Sequence, residues 1–296
     1  MHTQQIFTAR RKAAVLTLCL ASLLMILACW QTRTVAAQTV AVHSARSENA
    51  KIVTGSGYPL WSAPYQKGVR QRGTAKSLSK QLVQLNQVAK TTSGTYYHIS
   101  RRGHDYGWIN KTGLSTPKSY VLPYTYTSQL YPLYAPNACE AASLKMALSV
   151  KGIALKTSLK ALITAMPKSS DPNKGFKGNP YKESPRNVVW TIYPKPLAAF
   201  ARRYDKTAYN FTGASQNQLI TEIKRGNPVV VAGSWHFQNG RPYHVLALVG
   251  YRTGQFLVAD PYMQKSWANK SFWVSTWQFM HVFADKTRHS RAVVVR

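Results

Sequence analysis

One stretch of the chain leaves little freedom in how it folds. His244-Val-Leu-Ala-Leu-Val-Gly-Tyr251 reads as a strand, Arg252-Thr253-Gly254 as a turn, and Gln255-Phe-Leu-Val-Ala259 as the returning strand. In an antiparallel hairpin centred near residues 252 to 253, position 244 falls opposite about position 260 to 262. Asp260 then lies beside His244 or one diagonal away, within side-chain reach. Pro261 fixes the next φ and stops the strand, so Asp260 sits at a defined edge. An acid there fixes the tautomer of the imidazole and holds the ring on axis. Taken singly, His244 reads as a core histidine and Asp260-Pro261 as a strand-ending turn.

A third residue precedes this pair. Cys139 stands in Pro136-Asn-Ala-Cys-Glu-Ala-Ala-Ser-Leu-Lys-Met-Ala-Leu148, where a loop runs into an amphipathic helix. Ala142, Met146 and Val150 recur at helical spacing, Leu144 and Leu148 widen the stripe, and Lys151-Gly152 ends it. Cys139 would occupy the first turn, where free N–H groups and the helix dipole favour an anion, with Asn137 as the cap. The expectation is a lowered thiol pKa and a nucleophilic thiolate. Alone, a helical cysteine is more often a small buried hydrophobe. Cys, then His, then Asp is the chain order of a papain-like cysteine peptidase site. There is no His-Glu-x-x-His motif, no Cys-x-x-Cys pair and no phosphate-binding glycine loop, so neither a metal nor a cofactor is expected.

The other cysteines, Cys19 and Cys29, lie in an apolar run from Ala13 to Trp30 that follows Arg10, Arg11 and Lys12. A positive start, an apolar core and a small-residue end describe a signal peptide over residues 1–37. Cleavage is expected after Ala37, with Ala41 as the second choice. An uncleaved anchor, or a lipid on Cys29 within Ile26-Leu-Ala-Cys29, stays open. After cleavage the chain would keep one thiol and no disulfide, and no membrane span. The formal net charge is +30, and loss of Arg10, Arg11, Lys12 and Arg33 leaves +26. Such a one-signed field favours anionic polymers. On an exported protein these are wall phosphates, teichoic acids or acidic lipid headgroups. Nucleic acid would give the same signal, but the export signal argues against it.

Residues 38–50 are polar, without periodicity, and read as a linker. Residues 51–116 read as a small all-β domain with strands at Tyr58–Trp61, Leu82–Val88, Thr95–Ser100 and Tyr106–Asn110. Thr116-Pro117-Lys118-Ser119 is a turn-rich join to a second domain over 118–296. Here helices are expected at Cys139–Val150, Leu155–Met166, Pro196–Tyr204 and Gln216–Arg225, followed by a buried strand at Val229–Ala232 and the hairpin. A long loop spans 167–187. The fold class is therefore α+β. Trp190, Trp235 and Tyr243 would line a groove or pack in the core, His236 would border the cleft or sit in a loop, and no role is assigned to His281 or His289.

Two family resemblances rest on these residues. Leu60-Trp61-Ser62 with Pro64-Tyr65, Thr95-Tyr96-Tyr97-His98-Ile99 and Gly107-Trp108-Ile109 resemble a GW module, the SH3-like barrel of bacterial walls. The resemblance implies attachment to an anionic wall polymer such as lipoteichoic acid. It leaves the binding Lys and Arg residues undesignated, and most of the aromatic rings belong to the barrel core. Gln129, Ala135–Leu148, Gly226-Asn-Pro-Val-Val-Val231, Tyr243–Tyr251 and Val258-Ala-Asp-Pro261 resemble the secreted branch of the bacteriocin-processing, double-glycine-type cysteine peptidases of papain fold. That resemblance implies Cys139 as nucleophile, His244 as general base and acid, Asp260 as orienting residue and Gln129 as oxyanion donor. Gln129 stands ten residues before Cys139, farther than in the exporter-linked peptidase domains. Glu140 occupies a place where relatives often carry glycine.

The expected protein is a secreted, wall-associated cysteine peptidase of a Gram-positive bacterium. It would cleave a peptide or amide bond in a peptide or wall-derived substrate and bind no nucleic acid. The alternative is a surface binding protein or adhesin that keeps the fold, with Cys139 structural.

Overall fold

A computed structural model describes residues 40–263 and 270–296. The expected signal peptide, its cleavage site and Cys29 lie outside the described residues. Among the described residues no helix is long and apolar enough to cross a membrane.

The described strands fall into two antiparallel sheets. The first comprises β1 (Val42–Ser44), β2 (Lys51–Val53), β3 (Pro59–Trp61), β4 (Gln71–Thr74), β5 (Leu82–Thr91), β6 (Gly94–Arg101), β7 (His104–Asn110) and β8 (Leu114–Ser115). Its order is β4-β3-β7-β6-β5-β2-β8, with β1 paired to β5. Leu60, Val83, Leu85, Ile99 and Ile109 form its core. Trp108 is buried, whereas Trp61 is half-buried and packs against Tyr65 at a ring separation of 4.2 Å. The linker expected over residues 38–50 is overturned in part. Val42, His43 and Ser44 pair with Ala89, Val88 and Gln87, and Ala45 and Ala50 are buried. All three β1 side chains are exposed. The strand therefore shows no apolar alternation, and its backbone pairing left no mark in the sequence.

The second sheet contains β9 (Ser119–Val121), β10 (Tyr209–Asn210), β11 (Val229–Ser234), β12 (Tyr243–Arg252), β13 (Gln255–Ala259), β14 (Ser271–Ser275) and β15 (Ala292–Val294). Its order is β10-β15-β11-β12-β13-β14, with β9 added to β12. Helices α1 (Cys139–Val150), α2 (Leu159–Ala165) and α3 (Pro194–Ala201) cover one face, and α4 (Gln216–Lys224) and α5 (Thr276–Phe283) the other. Val230 and Val245 point into the first core, while Val229, Val231, Leu246 and Leu248 point into the second. A sheet covered on both faces needs apolar residues at every position, which explains the unbroken runs at 229–232 and 245–249. Burying each such side chain contributes about 1.5–3 kcal/mol.

Helix ends follow local chemistry. Ser158 Oγ accepts the Ala161 N–H, so α2 starts later than the apolar pattern from Leu155 suggests. Pro194 sits in the first turn of α3, where a missing N–H costs nothing, so that helix starts earlier than expected. Ser215 and Gln218 form a reciprocal capping box on α4. Helix α1 spans the expected residues but is not amphipathic. Every residue except Lys145 is buried, because the sheet, α2, α3 and the end of the first sheet enclose it.

Candidate active site

Helix α1 lies along β12, where Ser143 Oγ donates to the Val245 carbonyl at 3.0 Å. This places Cys139, at the helix start, beside His244 at the start of the strand. The Val245 N–H also bonds to the Cys139 sulfur. Cys139 and His244 line one cleft of about 490 Å³ with Trp190, Trp235, Tyr243, Tyr262, Arg241 and Glu183.

The hairpin register pairs Ala247 with Ala259 and Leu248 with Val258, with a bulge before Gly250. Continued to the strand start, it sets Asp260 one diagonal from His244. His244 Nε2 and Asp260 Oδ1 are 2.7 Å apart, and the same oxygen accepts the Tyr262 N–H at 2.8 Å. Both residues are buried. Burial pushes the Asp260 carboxyl up, but the His244 charge, the His244 hydrogen bond and the Tyr262 N–H together hold it below its usual value. With Nε2 taken by Asp260, Nδ1 is the nitrogen left to exchange a proton with a nucleophile. Tyr262 packs edge-on against the imidazole at 5.9 Å.

Cys139 departs from expectation. The thiol is only 7% exposed and donates to Glu140 Oε2 at 3.3 Å. Burial, then the charge of Glu140, push its pKa well above the ordinary thiol value. The dipole argument omitted this neighbour: a carboxylate in contact outweighs half a charge spread over a helix turn. Asn137 is not the cap either. Ala138 holds that position without a side-chain bond, while Asn137 Nδ2 donates to the Lys182 carbonyl and Oδ1 accepts from Ser184 at 3.4 Å. Asn137 thus ties the 167–187 loop to the cleft.

Glu140 is fully buried and saturated. Its Oε1 accepts from the Thr191 hydroxyl and from the Ile192 N–H at 3.3 Å, and Thr191 in turn bonds Tyr243. Burial outweighs these bonds and leaves the Glu140 pKa raised. Thr191 and Tyr262 were invisible as site residues in the sequence, because no local spacing links position 191 to 140.

Gln129 is fully buried and outside the cleft lining. Its N–H donates to the Pro261 carbonyl at 2.9 Å, and its carbonyl accepts from Ala135 at 2.7 Å. Its side-chain Nε2 donates to the Pro136 carbonyl at 2.6 Å, while Oε1 has no partner among the described residues. Gln129 therefore joins the Asp260-Pro261 turn to the loop before Cys139. Among the described residues no cluster of His, Cys, Asp and Glu fits a metal.

Residues 121–283 match the Peptidase_C39 like family, more than half of the chain. The chain belongs to the Peptidase_C39-like family. Residues 43–115, the first sheet, match the GW (Gly-Tryp) dipeptide domain. The crystal structure of a C39-like peptidase from Bacillus anthracis superposes with a TM-score of 0.51 at 23% identity, over 60% of this chain and 97% of that one. That likeness concerns the fold of the C39-like region. An autolysin from Listeria monocytogenes aligns at 15% identity and a TM-score of 0.22, over 30% of this chain and 43% of that one. No curated protein matches the chain. The C39-like fold is thus built on the second sheet, and the residues of its cleft come from the start of α1, β12, the turn after β13 and the segments around 183–190 and 235–242.

Proposed function

We propose that the protein is an exported, wall-associated cysteine peptidase whose nucleophile is Cys139, with residues 1–37 as the export signal and the GW domain as the wall anchor. The observation that carries the reading is the pairing of a buried His244–Asp260 couple with a lone thiol in one aromatic cleft. In the resting site burial, and then the charge of Glu140, keep the sulfur protonated. Substrate binding in the cleft brings a carbonyl to the sulfur, and His244 Nδ1 takes the thiol proton as the C–S bond forms. Asp260 stabilises the resulting imidazolium through Nε2. The imidazolium returns the proton to the leaving amine, and water activated by His244 hydrolyses the acyl-enzyme.

The Cys139 backbone N–H, free in the first turn of α1, serves the developing oxyanion. Gln129 takes part through the loop that it aligns, or donates directly once its amide leaves the Pro136 carbonyl. Trp190, Trp235 and Tyr262 offer apolar walls to a peptide, and Arg241 and Glu183 offer charges of both signs at the rim.

The nine acids of the chain stand against 39 Lys and Arg and have local partners, so the bases set the field outside. Glu48 bonds Tyr97, Asp105 bonds Arg72, Glu183 bonds Tyr134, and Asp285 bonds Arg288. Asp171, Asp205, Glu140, Glu222 and Asp260 are likewise engaged. This supports retention on an anionic wall polymer, of which lipoteichoic acid is one. Incubation with wall-derived peptides and a quench in acid should trap an acyl adduct on Cys139 by mass spectrometry. Turnover undiminished in Cys139→Ala would return the protein to the adhesin reading.

A further inference from the structure

A second, polar cavity, which Cys139 does not line, lies between the GW domain and the C39-like domain. The region from Ala41 to Arg296 forms one compact unit. Hydrogen bonds hold the two parts together: Ala50 N–H to the Lys224 carbonyl at 2.7 Å, Arg225 Nε to the Ser47 carbonyl at 3.0 Å, Gln84 Nε2 to the Gly226 carbonyl at 3.0 Å, and Arg102 Nη2 to Thr125 Oγ1 at 2.6 Å. The turn between β6 and β7 seats Gly103 against the Lys151 carbonyl, where a Cβ would lie 2.6 Å from the oxygen. A space of about 720 Å³ remains in this junction.

Its lining is basic. Arg46 comes from the GW domain, and Lys151, Arg225 and Arg296 from the C39-like domain, against Asp205 alone. The acids nearby are already saturated. Asp205 accepts from the Thr207 N–H and hydroxyl and from the Arg296 N–H. Glu222, behind the wall, accepts from Asn227, Tyr209 and Arg296. Lys151 is not saturated: among the described residues its ammonium donates once, to Asn227 Oδ1 at 2.6 Å. Two of its three N–H donors are therefore available to a guest. In the last turn of α1 the N–H groups of Lys151 and Ile153 take up the Leu148 carbonyl and that of Gly152 the Ser149 carbonyl.

We infer that this junction is a binding site for a phosphate-bearing anion larger than a bare ion, held by Lys151, Arg225 and Arg296 from one side and Arg46 from the other. Guanidinium forks and an ammonium are the donors that phosphate oxygens take. The cavity exceeds one phosphate group, so an organic phosphate or a phosphodiester segment fits. The groups facing Lys151 are Arg46, Asp205, Glu222, Arg225 and Arg296. Burial chiefly, with Arg46 and Arg296 adding to it against Asp205 and Glu222, lowers the Lys151 pKa to about 7. An anion would reverse that shift. The contribution of Lys151 to affinity should therefore weaken as pH rises through about 7 and the ammonium loses its proton. The site is independent of the peptidase reading.

Calorimetry on the full chain with inorganic phosphate and with glycerol 3-phosphate tests it. Binding of one equivalent is expected. Lys151→Met should lose about tenfold or more in affinity below pH 7, and the gap from wild type should narrow above it. Arg46→Gln, at the exposed rim and neutral for folding, should lose about threefold to tenfold and serves if Lys151→Met fails to fold. Displacement of phosphate by a glycerol phosphate polymer assigns the site to the wall, and failure to displace it assigns the site to a free phosphate compound. Absence of saturable binding at millimolar phosphate, or equal affinity in wild type and both variants, would overturn the site.

Discussion

The two ends of helix α1 carry side chains of opposite charge, a fully buried Glu140 and a half-buried Lys151, and they are treated differently. Glu140 in the first turn and Lys151 at the C-cap both agree with the helix dipole. Glu140 is closed in, and its carboxylate meets the Thr191 hydroxyl, the Ile192 N–H and the Cys139 thiol. Lys151 keeps one hydrogen-bond partner among the described residues and faces an open polar space. A buried charge whose hydrogen bonds are all internal fixes geometry, here that of a thiol. A buried charge with bonds to spare is a place where something else binds. One helix thus links a chemical end to a binding end about 18 Å away, at 1.5 Å per residue.

The largest effect expected belongs to the chemical end. Cys139→Ala should lower kcat/KM by about 10⁴-fold or more and leave the thermal transition within a few degrees, since a small side chain is lost from a small site. Asp260→Asn should follow, with kcat down about 10²- to 10⁴-fold and KM little changed, because an amide presents the wrong partner to His244 Nε2. Asp260 also links stability to pH. Its folded pKa is depressed, so the stability it supplies is present above the ordinary carboxylate range and is lost as pH falls through the lower folded value. Acid titration of unfolding should show that loss in wild type and not in Asp260→Asn.

The junction end should respond in stability. Gly152 has φ +72°, and a Cβ there would run into the Arg102 carbonyl. Gly152→Ala should destabilise by about 1–3 kcal/mol in denaturant unfolding, as the β6–β7 turn is pushed off α1. If Gly152→Ala is as stable as wild type, the two domains are coupled less tightly than these contacts imply.

How far the sequence reveals each end follows from the range of the interactions. The hairpin that joins His244 to Asp260 is local, and turn position with strand period places the pair within one diagonal. Helix α1 is local too, and its bounds agree with its apolar spacing. The Glu140–Thr191 contact spans 51 residues, and the Lys151–Asn227 bond spans 76. Neither leaves a periodic trace, and both decide the electrostatics. Strand β1 was hidden for another reason: its pairing is backbone-only with exposed side chains. The strands and helix after residue 270 close the sheet through register with β13 and β11, which no local pattern announces.

The account turns on burial, and Glu140 with it, holding the resting Cys139 as a neutral thiol beside His244–Asp260. The most direct test is the pH profile of Cys139 alkylation by iodoacetamide, measured on wild type and Glu140→Gln. The account predicts a wild-type profile displaced above the ordinary thiol range of about 8.5. It predicts a profile shifted to lower pH in Glu140→Gln, because an amide carries no charge against the thiolate. Superimposable profiles, or rapid wild-type labelling already at neutral pH, would contradict it.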